Sequence, residues 1–112
     1  MGCTAKGIDG AYTEAYGLLL YRVFSYDPIS FIKALATDGI DETTKWHAIL
    51  STAFNAVWYE RECTQIIETL EAALSNGIFN EPQSDWCRLM LLYLRTPEDE
   101  MGTLPRSPAD MP

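Results

Sequence analysis

The sequence is poor in the residues that mark a metal site, a disulfide scaffold or a nucleic-acid binder. It has one histidine and three cysteines, with no CxxC and no clustered His/Cys spacing, so no zinc ligand set stands out. Small domains that depend on disulfides carry an even and denser set of cysteines. Cys63 and Cys87 fall in segments that read as helical, near opposite ends of an antiparallel pair, which disfavours a bridge between them. Basic residues are also scarce. Lys+Arg 8 against Asp+Glu 16 gives a formal net charge of -8, and the few bases are scattered singly, so the footprint that draws a protein to phosphates is missing. No apolar run approaches the roughly 20 residues that cross a bilayer; the longest is Leu89-Met90-Leu91-Leu92-Tyr93-Leu94. No basic segment followed by an apolar stretch opens the chain, and Lys6 stands where a myristoylation motif beginning at Gly2 needs Ser or Thr.

What is present is a foldable chain. Its 112 residues are 47% hydrophobic and 12% aromatic, enough for one compact core and too few for a second domain. Free cysteines favour a reducing, cytoplasmic setting. The alternative is lipid attachment at Cys3 outside the cytoplasm, if a signal peptide has been removed.

Apolar residues recur at helical spacing almost throughout, without sustained alternation of period two. The fold class expected is all-α: about five helices in antiparallel hairpins, forming a short α-α superhelix or an irregular helical bundle over residues 1–95. A first helix is expected from about Asp9 to Ser25, with Tyr12, Tyr16, Leu19, Val23 and Phe24 along one stripe and Ala11, Ala15 and Leu18 beside it. Its two apolar faces predict more than one neighbour. Asp27-Pro28 is a helix start in which a carboxylate caps free amides and proline fills the first position. A short helix follows through Ile29, Ile32, Leu35 and Ala36, and stops at Asp38-Gly39-Ile40 in the manner of a Schellman cap, with Leu35 contacting Ile40.

The third helix starts near Asp41 and carries Trp46, Ile49, Leu50, Ala53, Phe54 and Val57. Glu60-Arg61-Glu62 is expected to mark a turn or kink before a fourth helix through Cys63, Ile66, Ile67, Leu70, Ala73 and Leu74, which ends at Asn76-Gly77-Ile78. A fifth begins around Glu81-Pro82 and carries Trp86, Leu89, Met90, Tyr93 and Leu94. Residues 96–112 hold four prolines and Glu98-Asp99-Glu100, which predicts a flexible acidic tail.

Ala34-Leu35-Ala36-Thr37-Asp38-Gly39-Ile40 matches Ala72-Ala73-Leu74-Ser75-Asn76-Gly77-Ile78, and Trp46-His47-Ala48-Ile49-Leu50 falls opposite Trp86-Cys87-Arg88-Leu89-Met90. The period is roughly 40 residues, within the range of stacked helical pairs. With its Asp27-Pro28 opening, this organisation resembles the HEAT and armadillo-like helical repeats. The resemblance implies protein-protein scaffolding and brings no catalytic residue with it. An irregular bundle using the same caps is the alternative.

His47 has Glu42 and Ser51 within helical reach, but a Ser and a His on one exposed turn make no oxyanion pocket. Glu60, Glu62, Glu68 and Glu71 form an acidic face suited to solvent or to a basic partner. Trp58 and Tyr59 continue past a stripe already completed by Val57, and Leu91 and Leu92 fall off the stripe of the fifth helix. Surplus large apolar residues of this kind mark contact with a partner or a second subunit. The function expected is a non-enzymatic protein-protein interaction module, a small helical-repeat adaptor or scaffold using Trp58, Tyr59, Glu68, Glu71, Leu91 and Leu92. No cofactor, metal or nucleic acid is expected. The alternative is a small acidic inhibitor or immunity-type protein that masks a basic partner site.

Overall fold

The computed structural model describes residues 17–111. All regular structure among them is helical: α1 over residues 17–26, α2 Pro28–Leu35, α3 Glu42–Ala56, α4 Glu60–Ser75 and α5 Glu81–Leu94, then 3-10 turns at Glu98–Thr103 and Pro108–Asp110. The fold is a small all-α bundle. Tyr12 and Tyr16, expected on the first helix, lie outside the described residues.

Three helix starts follow local chemistry. The Asp27 carboxylate accepts from the Ser30 amide at 3.1 Å, with Pro28 in the first turn. Asp41 accepts from the Thr44 amide at 2.8 Å. Asn80 and Gln83 close a reciprocal capping box, each side chain accepting from the other's amide at 3.0 Å. α4 has no side-chain cap; Glu60 and Glu62 sit in its first turn, where the helix dipole favours negative charge. These acids therefore start a helix rather than interrupt one. The turn before them is Val57–Tyr59, closed by the amides of Trp58 and Tyr59 on the carbonyls of Asn55 and Ala56.

The two Gly-Ile stops close differently. At the end of α4 the Ile78 amide reaches the Ala73 carbonyl and the Gly77 amide reaches that of Leu74, with Gly77 at φ 70°, a complete Schellman motif. α2 ends earlier, with Ala36 and Thr37 bonding back to Ile32 and Ala34. Gly39, at φ 100°, serves the connection that follows.

α5 is the centre of the molecule, packed against α2, α3 and α4. Trp86, Cys87, Leu89, Met90, Leu91 and Tyr93 are all buried, the all-round burial of a helix surrounded by others. Around it stand Ile32 and Leu35 from α2, Ile49, Ala53 and Ala56 from α3, and Ile66, Leu70 and Ala73 from α4. α1 turns Tyr21 and Phe24 inward: Tyr21 stacks on Tyr59 at 4.9 Å, and Phe24 meets Phe31 edge-on at 5.2 Å. Phe24 thus belongs to the buried face of α1 and not to the stripe of Leu19 and Val23.

Residues 97–111, expected as a flexible tail, lie against the helices. The first 3-10 turn lies against α3 and the second against α5. Met101 is buried, with Leu104 and Met111 packed on the core. The Tyr93 hydroxyl donates to the Pro105 carbonyl at 2.7 Å, and the Arg106 guanidinium lies 4.4 Å from the Trp46 ring. Prolines and acids look like disorder when weighed by composition. Here the prolines stiffen the chain and reduce the entropy lost when three apolar side chains dock.

Candidate partner-binding surface

The α3–α4 connection leaves only Val57, Trp58 and Tyr59 between two helices, and the bonds of the last two amides back into α3 fix its path. The two aromatic side chains have opposite fates. Tyr59 stacks on Tyr21, whose hydroxyl donates to a Glu62 carboxylate oxygen at 2.8 Å. Burial, and then that hydrogen bond, push the Tyr21 pKa well above its ordinary value. Trp58 finds no such cover among the described residues and is 80% exposed.

Beside this turn is a cleft of about 320 Å³ between the end of α3, the start of α4 and the end of α5. Ala53, Ala56, Val57, Cys63, Ile67, Leu94 and Pro97 supply its apolar lining, and Glu60, Thr64, Arg95 and Thr96 its polar groups. Burial, and secondarily the Glu60 carboxylate, raise the Cys63 pKa. The cleft therefore presents a thiol rather than a thiolate nucleophile. Its chemistry suits an apolar side chain flanked by a hydrogen-bonding group.

The structure separates the six residues expected to bind a partner. Trp58 is open, Tyr59 is engaged by Tyr21, and Glu68 is exposed on α4. Glu71 pairs with Arg95, both side chains half-exposed; such a surface pair contributes little stability. Leu91 is 4% exposed and withdrawn from the surface, and Leu92 is half-buried against the core. A single-stripe reading of α5 misses this, because α5 is enclosed from several sides. It also misses the cleft, whose lining comes from three helices. Only Val57, next to the surplus Trp58, was visible as a signal for it.

His47 is exposed beside the Trp46 ring, and among the described residues no hydrogen bond joins it to Ser51. A second cleft, near the starts of α3 and α5, is lined by Glu42, Glu81, Asp85 and Trp86 with Pro108 and Ala109. The two helix starts share this end, while Ala56 and Leu94 share the far cleft, so α3 and α5 run side by side in the same sense. The acids thus complement two aligned dipoles. The buried Lys45 adds a cation 5.2 Å from the Trp86 ring. Among the described residues no group of three or more His, Cys, Asp or Glu is placed to hold a metal ion, and no helix is long and apolar enough to cross a membrane.

Compared with known proteins, the chain matches no family model, no curated protein and no solved structure.

Proposed function

We propose that this chain is a non-enzymatic protein-protein interaction module whose partner engages Trp58 and the neighbouring cleft. The observation that carries the reading is the 80% exposure of Trp58, with Val57 also exposed and lining that cleft. An exposed indole brings a large apolar area to a contact, which makes tryptophan a frequent hot spot. The net charge of -8, with Glu60 and Glu68 exposed on α4, favours a partner with a basic surface. Complementary charge of this kind speeds encounter and is weakened by salt. The helical-repeat form of the reading rests on the sequence likeness alone.

The test is capture of partners by the full chain from its source extract, side by side with Trp58→Ala and Glu68→Lys variants checked for helical content. The expected result is one stoichiometric partner, held less tightly as salt rises and about tenfold or more weaker with Trp58→Ala, the scale of a hot-spot truncation. Equal affinity for Trp58→Ala overturns the surface. A captured enzyme that loses activity at one-to-one stoichiometry converts the adaptor reading into the inhibitor reading.

A further inference from the structure

The C-terminal arm crosses three aromatic side chains, Trp46, Trp86 and Tyr93. Trp86 and Tyr93 are two turns apart on one face of α5, about 10 Å along its axis, and the Trp46 indole of α3 donates to the Tyr93 hydroxyl. The segment over them is Pro105-Arg106-Ser107-Pro108, with extended backbone at Leu104 (φ -80°, ψ 157°) and Ser107 (φ -151°, ψ 160°). The Pro105 carbonyl accepts from the Tyr93 hydroxyl, the Arg106 guanidinium lies over the Trp46 ring, and Pro108 lines a cleft with Trp86. Three residues of extended chain cover about 9 Å, so the two prolines are spaced as Tyr93 and Trp86 are. Aromatic rings with a hydroxyl donor suit such a segment, because its proline rings are already fixed and its carbonyls are unpaired.

We propose that the Trp46, Trp86 and Tyr93 face is a binding site for an extended, basic, proline-containing segment of a partner, and that the arm fills it as an intramolecular stand-in. The arm is lightly attached. Among the described residues a single hydrogen bond, from Tyr93 to Pro105, joins 97–111 to the helices, and the other bonds of its two 3-10 turns stay within it. Its charge is also mismatched. It has Glu98, Asp99, Glu100 and Asp110 against Arg106 alone, and Pro108 and Ala109 enter a cleft lined by Glu42, Glu81 and Asp85. A segment with lysine where the arm has Ala109 and Asp110 keeps the proline and arginine contacts and replaces repulsion with attraction. Charge complementarity therefore selects a basic occupant over the arm.

The tether sets the expected affinities. The arm competes from within the chain at an effective concentration on the order of millimolar. A free segment therefore binds the wild-type chain weakly, and a chain whose arm is released more tightly. None of the three aromatic residues lines the cleft beside Trp58, so this inference is independent of the Trp58 surface.

Fluorescence anisotropy of labelled peptides against the full chain tests it. One peptide has the sequence of residues 103–111, and a second carries Ala109→Lys/Asp110→Lys. The chains are wild type and Met101→Asp/Leu104→Asp, which releases the arm. The lysine peptide is expected to bind at least about threefold more tightly than the arm peptide, and both to bind the released chain about tenfold more tightly than wild type. If that variant loses its helices, as circular dichroism checks, the wild-type chain carries the test: the lysine peptide shifts the indole N–H resonances of Trp46 and Trp86 and leaves that of Trp58 in place. Equal affinity of the two peptides, equal binding of a Pro105→Ala/Pro108→Ala peptide, or no binding to either chain at about 1 mM overturns the proposal. So does a wild-type dimer that Met101→Asp/Leu104→Asp abolishes, since the face then takes the arm of a second copy.

Discussion

The Trp46 indole N–H donates to the Tyr93 hydroxyl at 2.9 Å, and the same hydroxyl donates onward to the Pro105 carbonyl at 2.7 Å. One phenol thus ties α3, α5 and the C-terminal arm together. Burial raises the Tyr93 pKa, opposed by the Trp46 hydrogen bond and the Arg106 charge, so the hydroxyl keeps its proton at neutral pH and remains a donor.

Tyr93→Phe removes both bonds without altering the packed ring. It leaves the Trp46 N–H and the Pro105 carbonyl without this partner, at a cost of about 1–3 kcal/mol if neither finds water. Hydrogen exchange and limited proteolysis are expected to localise the change to residues 97–111, with the helices still protected. Unchanged protection there would show that the apolar contacts of Met101, Leu104 and Met111 hold the arm unaided.

Thr52 is fully buried in α3 and its hydroxyl is the one buried side-chain polar atom without a hydrogen-bond partner among the described residues. Thr52→Val keeps the shape and removes the unpaired group, so a gain of about 1 kcal/mol in unfolding free energy is expected. Urea denaturation with an unchanged m-value checks it. A loss of stability would mean that the hydroxyl has a partner in solution.

Asp27 and Asp41 give the acid limb of stability a specific origin. Hydrogen bonds from Ser30 hold the first carboxyl below its ordinary value of 3.8, and those from Thr44 do the same for the second. With the folded pKa below the unfolded one, the contribution is complete above the unfolded value and is lost as pH falls through the folded one. Asp27→Asn/Asp41→Asn keeps capping side chains that do not titrate. The expected result is a shallower fall of the urea midpoint below about pH 4. Identical slopes in variant and wild type would assign acid sensitivity to other carboxylates.

Reading in one dimension was sufficient where structure depends on near neighbours. The Asp27-Pro28 and Asp41 starts, the Schellman end at Gly77 and the periodicity of α4 each depend on residues within about one turn, and the sequence displays them directly. It was insufficient where the same residue has several possible partners. Tyr59 and Trp58 are adjacent and similar, yet among the described residues only Tyr59 finds a ring to stack on. Leu91 lies off a stripe drawn for one neighbour and is buried because α5 has several.

The helical class, most helix boundaries, the acidic balance and the two apolar faces of α1 are legible from the amino-acid order, because periodicity, capping and charge are local or additive properties. Tertiary structure alone decided that α5 is central, that the C-terminal arm docks through Tyr93 and Trp46, and which aromatic residues stay in water. Those outcomes depend on contacts between residues tens of positions apart, as with Trp46 and Tyr93 or Tyr21 and Glu62. Burial is a property of the assembled neighbours, so a side chain's own hydrophobicity indicates that it seeks cover but not which surface will provide it.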